Sequence, residues 1–202
     1  MEEKDILKRL QVLYPDLISP IDKFPQAYKG NNKIKAIILG ADPTHIVDSH
    51  PKPLEFVFQI ENPNSPYWKG IKQNLERITG MTQEHVYVQN VCRNYFNLET
   101  SKNKVWVEIA RQYWIPFLAK ELDVMFDKSV PILMTTEFIL KAALNSGESN
   151  IKAKNIYNVC ITIDSGKNLF GRELIAFYRH PAYSISKHEN YKLFIERRLK
   201  MV

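Results

Sequence analysis

Cysteine is scarce in this chain, and so are the signatures of most cofactor-dependent chemistry. Only two cysteines, Cys92 and Cys160, occur in 202 residues. That is too few for a four-cysteine zinc site or an iron–sulfur cluster. Both fall in apolar, strand-like runs, which suits buried hydrophobes better than a bridge. The histidines offer a metal little: His45 and His50 are five apart, His85 and His188 lie elsewhere, and no tight HxxxH or CxxC pairing occurs. Neither GxxxxGK[ST] nor GxGxxG is present, and the "DSGKNLFG" of residues 164–171 lacks the earlier glycine of a phosphate loop and reads as a turn. No metal and no cofactor is therefore expected. No apolar run approaches the roughly 20 residues of a membrane span. The opening Met1-Glu2-Glu3-Lys4-Asp5 is acidic and has no apolar signal-peptide core. The expectation is a cytoplasmic protein without membrane contact, nucleoid-associated if its source is bacterial. Internal repeats, low-complexity tracts and Pro/Gly/Ser-rich linkers are also missing, which predicts one domain over residues 1–202, with residues 1–30 an N-terminal helical segment packed on it.

What is present is an ordinary globular composition, 45% hydrophobic and 25% charged, in a chain long enough to bury a core without disulfides. The net charge is +6 and the sequence pI about 9.2, a balance that favours polyanionic partners such as nucleic acid. Ile6, Leu7, Leu10, Leu13 and Leu17 follow the spacing of an amphipathic helix. Residues 34–39, 86–91 and 130–134 read as buried strands, and 174–178 as a further apolar run. Residues 155–163 read as β-rich, and 54–60 as an extended piece in an otherwise irregular, proline-rich stretch. Helical patterns cover residues 68–78, then Trp106 to Phe117 with Pro116 expected to kink or divide the helix, then a helix capped by Thr135 or Thr136, and finally residues 187–199. Alternating strands and helices predict an α/β fold: three α/β/α layers around a mostly parallel sheet. In such folds ligands bind at the carboxyl ends of the strands. Asp42, Asn90 and His180 all sit at or just past such ends.

Four short stretches carry a family resemblance. "GADPTH" (residues 40–45) resembles the first active-site motif of the uracil-DNA glycosylases, usually GQDPYH, and "HPAYS" (180–184) resembles their second, usually HPSPLS. Between them, "VYVQNV" (86–91) resembles the strand with the base-reading asparagine, and "FVFQI" (56–60) the segment with the stacking phenylalanine. Order and spacing agree with the family across nearly the whole chain. The resemblance implies a DNA repair enzyme that hydrolyses the N-glycosidic bond of uracil or a related damaged base, leaving an abasic site. It implies the aspartate-using branch, acting without metal or cofactor on DNA as a monomer. Asp42 would orient water and stabilise the oxocarbenium-like sugar, and His180 would donate to the oxygen of the departing base. Ala41, Thr44, Phe58 and Asn90 would bind the base, with Asn90 pairing its Watson–Crick edge and Phe58 (or Phe56, two residues away on the same strand face) stacking on it. The DNA contacts implied are His45, Ser65, Pro66, Lys69, Ser184, Ile185 and Lys187, with Ile185 or Tyr183 as the wedge that fills the gap left by the extruded base.

Each residue also has a plainer explanation. Asp-Pro after a strand often forms only a turn. A strand asparagine can satisfy a neighbouring backbone group, and an aromatic in an apolar stretch is usually core. The motif departs from the family at Thr44, where a tyrosine normally excludes the thymine methyl, and at Ala41 and Ala182. These departures keep two rivals open: a nucleic-acid-binding relative without turnover, and an unrelated α/β enzyme acting on free nucleosides or nucleotides.

Overall fold

The computed structural model describes residues 2–44, 53–148 and 152–200. Its centre is a five-stranded sheet: β1 (Tyr28–Lys29), β2 (Ala36–Gly40), β3 (Val86–Asn90), β4 (Ile132–Met134) and β5 (Leu174–Ala176), in the spatial order β1-β3-β2-β4-β5. Four strands run parallel. The short β1, which the sequence pattern does not announce, pairs antiparallel with β3 at the edge. Every residue of β2 to β5 is buried. Burial without alternation means that both sheet faces are covered, as a parallel sheet requires.

The covering helices are α1 (Glu3–Leu13), α2 (Pro66–Glu76), α3 (Trp106–Ile109), α4 (Ile115–Met125), α5 (Glu137–Ala143), α6 (Ala153–Val159) and α7 (Glu189–Lys200). They form two groups. Arg93 joins Glu3 of α1 to Glu121 of α4, and Trp106 meets Phe138 of α5 edge-on at 6.1 Å. In the second group, Thr79 beyond α2 bonds Glu196 of α7, and Tyr157 of α6 packs on Tyr191 of α7 at 4.3 Å. Two helical groups on a doubly covered sheet are compatible with three α/β/α layers.

Several local expectations need correction. Residues 155–163 hold no strand: Ala153–Val159 is helical, and Cys160 in the left-handed region (φ 54°) ends it. Ile156 and Tyr157 are buried, and that packing outweighs the β-propensity of the segment. Residues 54–60 are not extended throughout. Phe56 makes one bridge to Gln26, and Val57–Gln59 then turns as a 3-10 segment. Pro116 divides its helix without a loop: a π-helical turn, Ala110–Trp114, joins α3 to α4 and leaves the proline in the first turn of α4, where its missing N–H matters least. Thr136 holds the N-cap position of α5, but its side chain makes no capping bond. Leu13 ends α1 half-exposed rather than buried. Both cysteines are free. Among the described residues no helix is long and apolar enough to cross a membrane.

Candidate active site at the carboxyl rim

Strand register assembles the site. Gly40 pairs with Asn90, Leu39 with Met134, and Met134 with Ala176, so four strands end level. The segments leaving those ends surround an open cavity of about 120 Å³. Its wall includes Ala41, Asp42 and Thr44 after β2, Asn90 of β3, Thr135 and Thr136 after β4, and Arg179 after β5. Pro43, Leu54, Phe58, Thr100 and, from the first turn of α2, Tyr67 add to it.

Asp42 is held by three donors. Oδ1 accepts the Thr44 backbone N–H at 2.9 Å, closing the Asx turn that Asp-Pro favours. Oδ2 accepts the Thr100 hydroxyl at 2.7 Å and the Trp106 indole N–H at 2.8 Å. Burial pushes the carboxyl above its ordinary value, while the bonds from Thr100, Thr44 and Trp106 pull against that rise. The same surroundings raise the neighbouring Cys92 thiol, first by burial and then through the charge of Asp42, so that thiol is inert.

Phe58 and Asn90 converge on Gly40. A Cβ at Gly40 would lie 2.3 Å from Phe58 Cζ and 2.4 Å from Asn90 Oδ1. Only glycine leaves room for the ring edge and the amide together. Phe58 reaches this place at a backbone cost: it and Gln59 have φ of 57° and 52°, a region that bulky residues enter only when the surroundings enforce it. Ser65 fixes the turn by donating its hydroxyl to the Phe58 carbonyl at 2.7 Å. The Asn90 amide lines the cavity and has no protein partner among the described residues. The Thr136 hydroxyl is likewise buried and unpartnered.

The structure thus brings Ala41, Asp42, Thr44, Phe58 and Asn90 onto one cavity. Ala41 does so with its carbonyl already accepting the Cys92 N–H, and Thr44 with its hydroxyl accepting the Phe96 N–H at 2.7 Å. His180 is not on the cavity wall. It is exposed at the start of the 3-10 turn Pro181–Tyr183, and its Nδ1 accepts the Ala182 N–H at 3.2 Å.

The surface contacts divide in the same way. Pro66, Lys69 and Lys187 are exposed. Ser65 is fully buried, because its hydroxyl caps α2 and binds Phe58, so it presents nothing to a phosphate. Ile185 is fully buried too: its N–H bonds the Asn74 side chain at 3.1 Å and its side chain enters the core, so it does not project as a wedge. Ser184 also bonds Asn74, at 3.2 Å. Tyr183, the other wedge candidate, is half-buried against Tyr157 and stacked on His188. His45 lies outside the described residues.

Sequence reasoning missed Thr100 and Trp106, which grip Asp42, as well as Tyr67, Thr136 and Arg179 on the cavity wall. Only Arg179 had a local signal, as a cation one residue before His180. No family model matches this chain, and no curated protein matches it.

Proposed function

We propose that the protein is a DNA glycosylase, hydrolysing the bond between deoxyribose and uracil or a related damaged base. The observation that carries this reading is the convergence of Asp42, Asn90 and Phe58 on one cavity, with Gly40 as the gap that admits them. A base entering there meets an aromatic edge and an unpaired amide. The amide offers one donor and one acceptor, the pattern that a pyrimidine edge with an N–H and a carbonyl complements. A fixed carboxylate lies on the same wall. As the bond breaks, positive charge grows on the sugar, and Asp42 is held ready for it without reorganisation. With Oδ2 occupied by two donors, the remaining lone pair of Oδ1 is the place to orient the attacking water. His180, on the loop beyond Arg179, reaches the departing base only if that loop closes over a bound substrate.

The test is abasic-site formation on oligonucleotides carrying uracil, mismatched thymine or deaminated purines, with Asp42→Asn as control. Cleavage of one substrate that collapses in the variant supports the reading and names the base. Activity untouched by Asp42→Asn would sink the mechanism. A binding module without turnover is the second reading, favoured by the position of His180 off the cavity wall. It is the better account if DNA binds in a salt-sensitive manner and no abasic product forms on any substrate.

A further inference from the structure

The cavity has one carboxylate and, among the described residues, one cation. The carboxylate has three donors. The cation, Arg179, makes no ion pair with a carboxylate among the described residues. Its backbone is anchored, with the N–H bonded to the Thr135 carbonyl at 3.0 Å. Its guanidinium lies over the Tyr67 ring, 5.1 Å from the centroid. Tyr67 sits in the first turn of α2 and also lines the cavity. Burial raises the Tyr67 phenol, against the opposing pull of Arg179, so the ring stays neutral and keeps its electron-rich face for the cation. Glu99, whose charge also raises that phenol, is paired with Lys102 at 3.1 Å.

An arginine held over an aromatic face makes that contact without using its N–H donors, which stay available to a ligand. The guanidinium edge matches two oxygens of one phosphate. Arg179 is exposed where Asn90 is buried, which puts the cation at the mouth and the amide within. A nucleotide seated base-first places its phosphate at the mouth. We propose that Arg179, braced by Tyr67, is the phosphate-binding residue of this site, taking the phosphate attached to the nucleoside whose base enters the cavity. The inference rests on the reading of the cavity as a base pocket, but not on turnover. The phosphate can belong to a phosphodiester chain or to a free mononucleotide.

The test is binding of the full chain to an oligonucleotide with a stable abasic analogue, across a salt series, with deoxyuridine and deoxyuridine 5′-monophosphate as competitors. Arg179→Gln is expected to weaken oligonucleotide binding about tenfold at moderate salt. It should also lower the slope of log affinity against log salt by about one phosphate contact, with the thermal midpoint unchanged. Arg179→Lys should recover the slope but only part of the affinity, since an ammonium has no fork and stacks poorly. If the monophosphate competes far better than the nucleoside, and loses that advantage in Arg179→Gln, the phosphate is that of a free nucleotide. Oligonucleotide binding that depends on Arg179, with the monophosphate competing no better than the nucleoside, assigns it to the polymer. Wild-type affinity and slope in Arg179→Gln overturn the proposal, as does failure of the wild type to bind either ligand. Loss of binding in Arg179→Gln from a protein that never cleaves would retain the phosphate site and discard the glycosylase.

Discussion

Two arginines flank β5 and live in opposite worlds. Arg172, before the strand, is fully buried. Its guanidinium donates to the carbonyls of Leu122, Phe126, Asp127 and Val130 and to the Asp123 carboxylate, gathering the carboxyl end of α4 and the turn after it. Arg179, past the other end of the strand, is exposed, pairs with no acid among the described residues and rests on a tyrosine. The contrast extends to the sheet as a whole. At the amino end of β5 the charged group is consumed by the fold. At the carboxyl end polar groups are left over: the Asn90 amide, the Thr136 hydroxyl and the Arg179 guanidinium. A buried unpaired hydroxyl costs about 1–3 kcal/mol. Arg172 keeps only its Nε unpartnered, whereas among the described residues the carboxyl rim leaves three side chains with unpaired polar groups around one cavity.

The largest effect that would break this contrast is predicted for Arg172→Leu. Removing the guanidinium uncaps α4 and strands buried carbonyls, so urea unfolding should show a loss of about 3 kcal/mol or more. Next comes Asp42→Asn, with a rate loss of about 100-fold or more in the cleavage assay. Its stability should move the other way. The folded-state pKa of Asp42 is raised, so at neutral pH the ionised form is disfavoured by folding, and the neutral isostere should have the higher thermal midpoint. For the same reason the acid limb of kcat/KM should lie above the ordinary carboxylate range, activity falling as pH drops through the raised value. Trp106→Phe sharpens the point: it removes one donor that lowers that pKa, so the limb should shift further up and the rate fall about tenfold, whereas a merely structural tryptophan would leave the limb in place. Smallest in stability is Arg179→Gln, with no change in melting and a loss only in binding.

The rim residues that follow a strand directly were legible from sequence. Asp42 and Asn90 sit at the ends of apolar runs, and strand period places such ends together. Thr100, Trp106 and Tyr67 were not legible, because which loop crosses a rim is decided by long-range packing rather than by local pattern. Phe58 was named for the right cavity from the wrong backbone: an extended strand was expected, whereas the ring arrives through two left-handed residues whose strain no propensity anticipates. The helix at residues 153–159 was misread because Ile156, Tyr157 and Val159 have the composition of a strand, and only their packing shows otherwise. Ile185 is expected at the surface because the resemblance makes it a candidate wedge, yet Asn74, from the distant α2, draws it inward.

Strand order has a consequence for how the protein comes into being. After the two-residue edge strand β1, the central strand β2 is made, and its neighbours β3 and β4 follow at long intervals, with β5 last. Each contributes one piece of the rim: Asp42, Asn90, Thr136, Arg179. No contiguous fragment that stops short of Arg179 contains the pocket, and parallel pairings across such spans close slowly. A chain still emerging from the ribosome therefore carries its carboxylate long before it carries any means of holding a ligand beside it. A copy that stops before Arg179 lacks part of the rim, so a product truncated there should not bind through this site whatever its ligand.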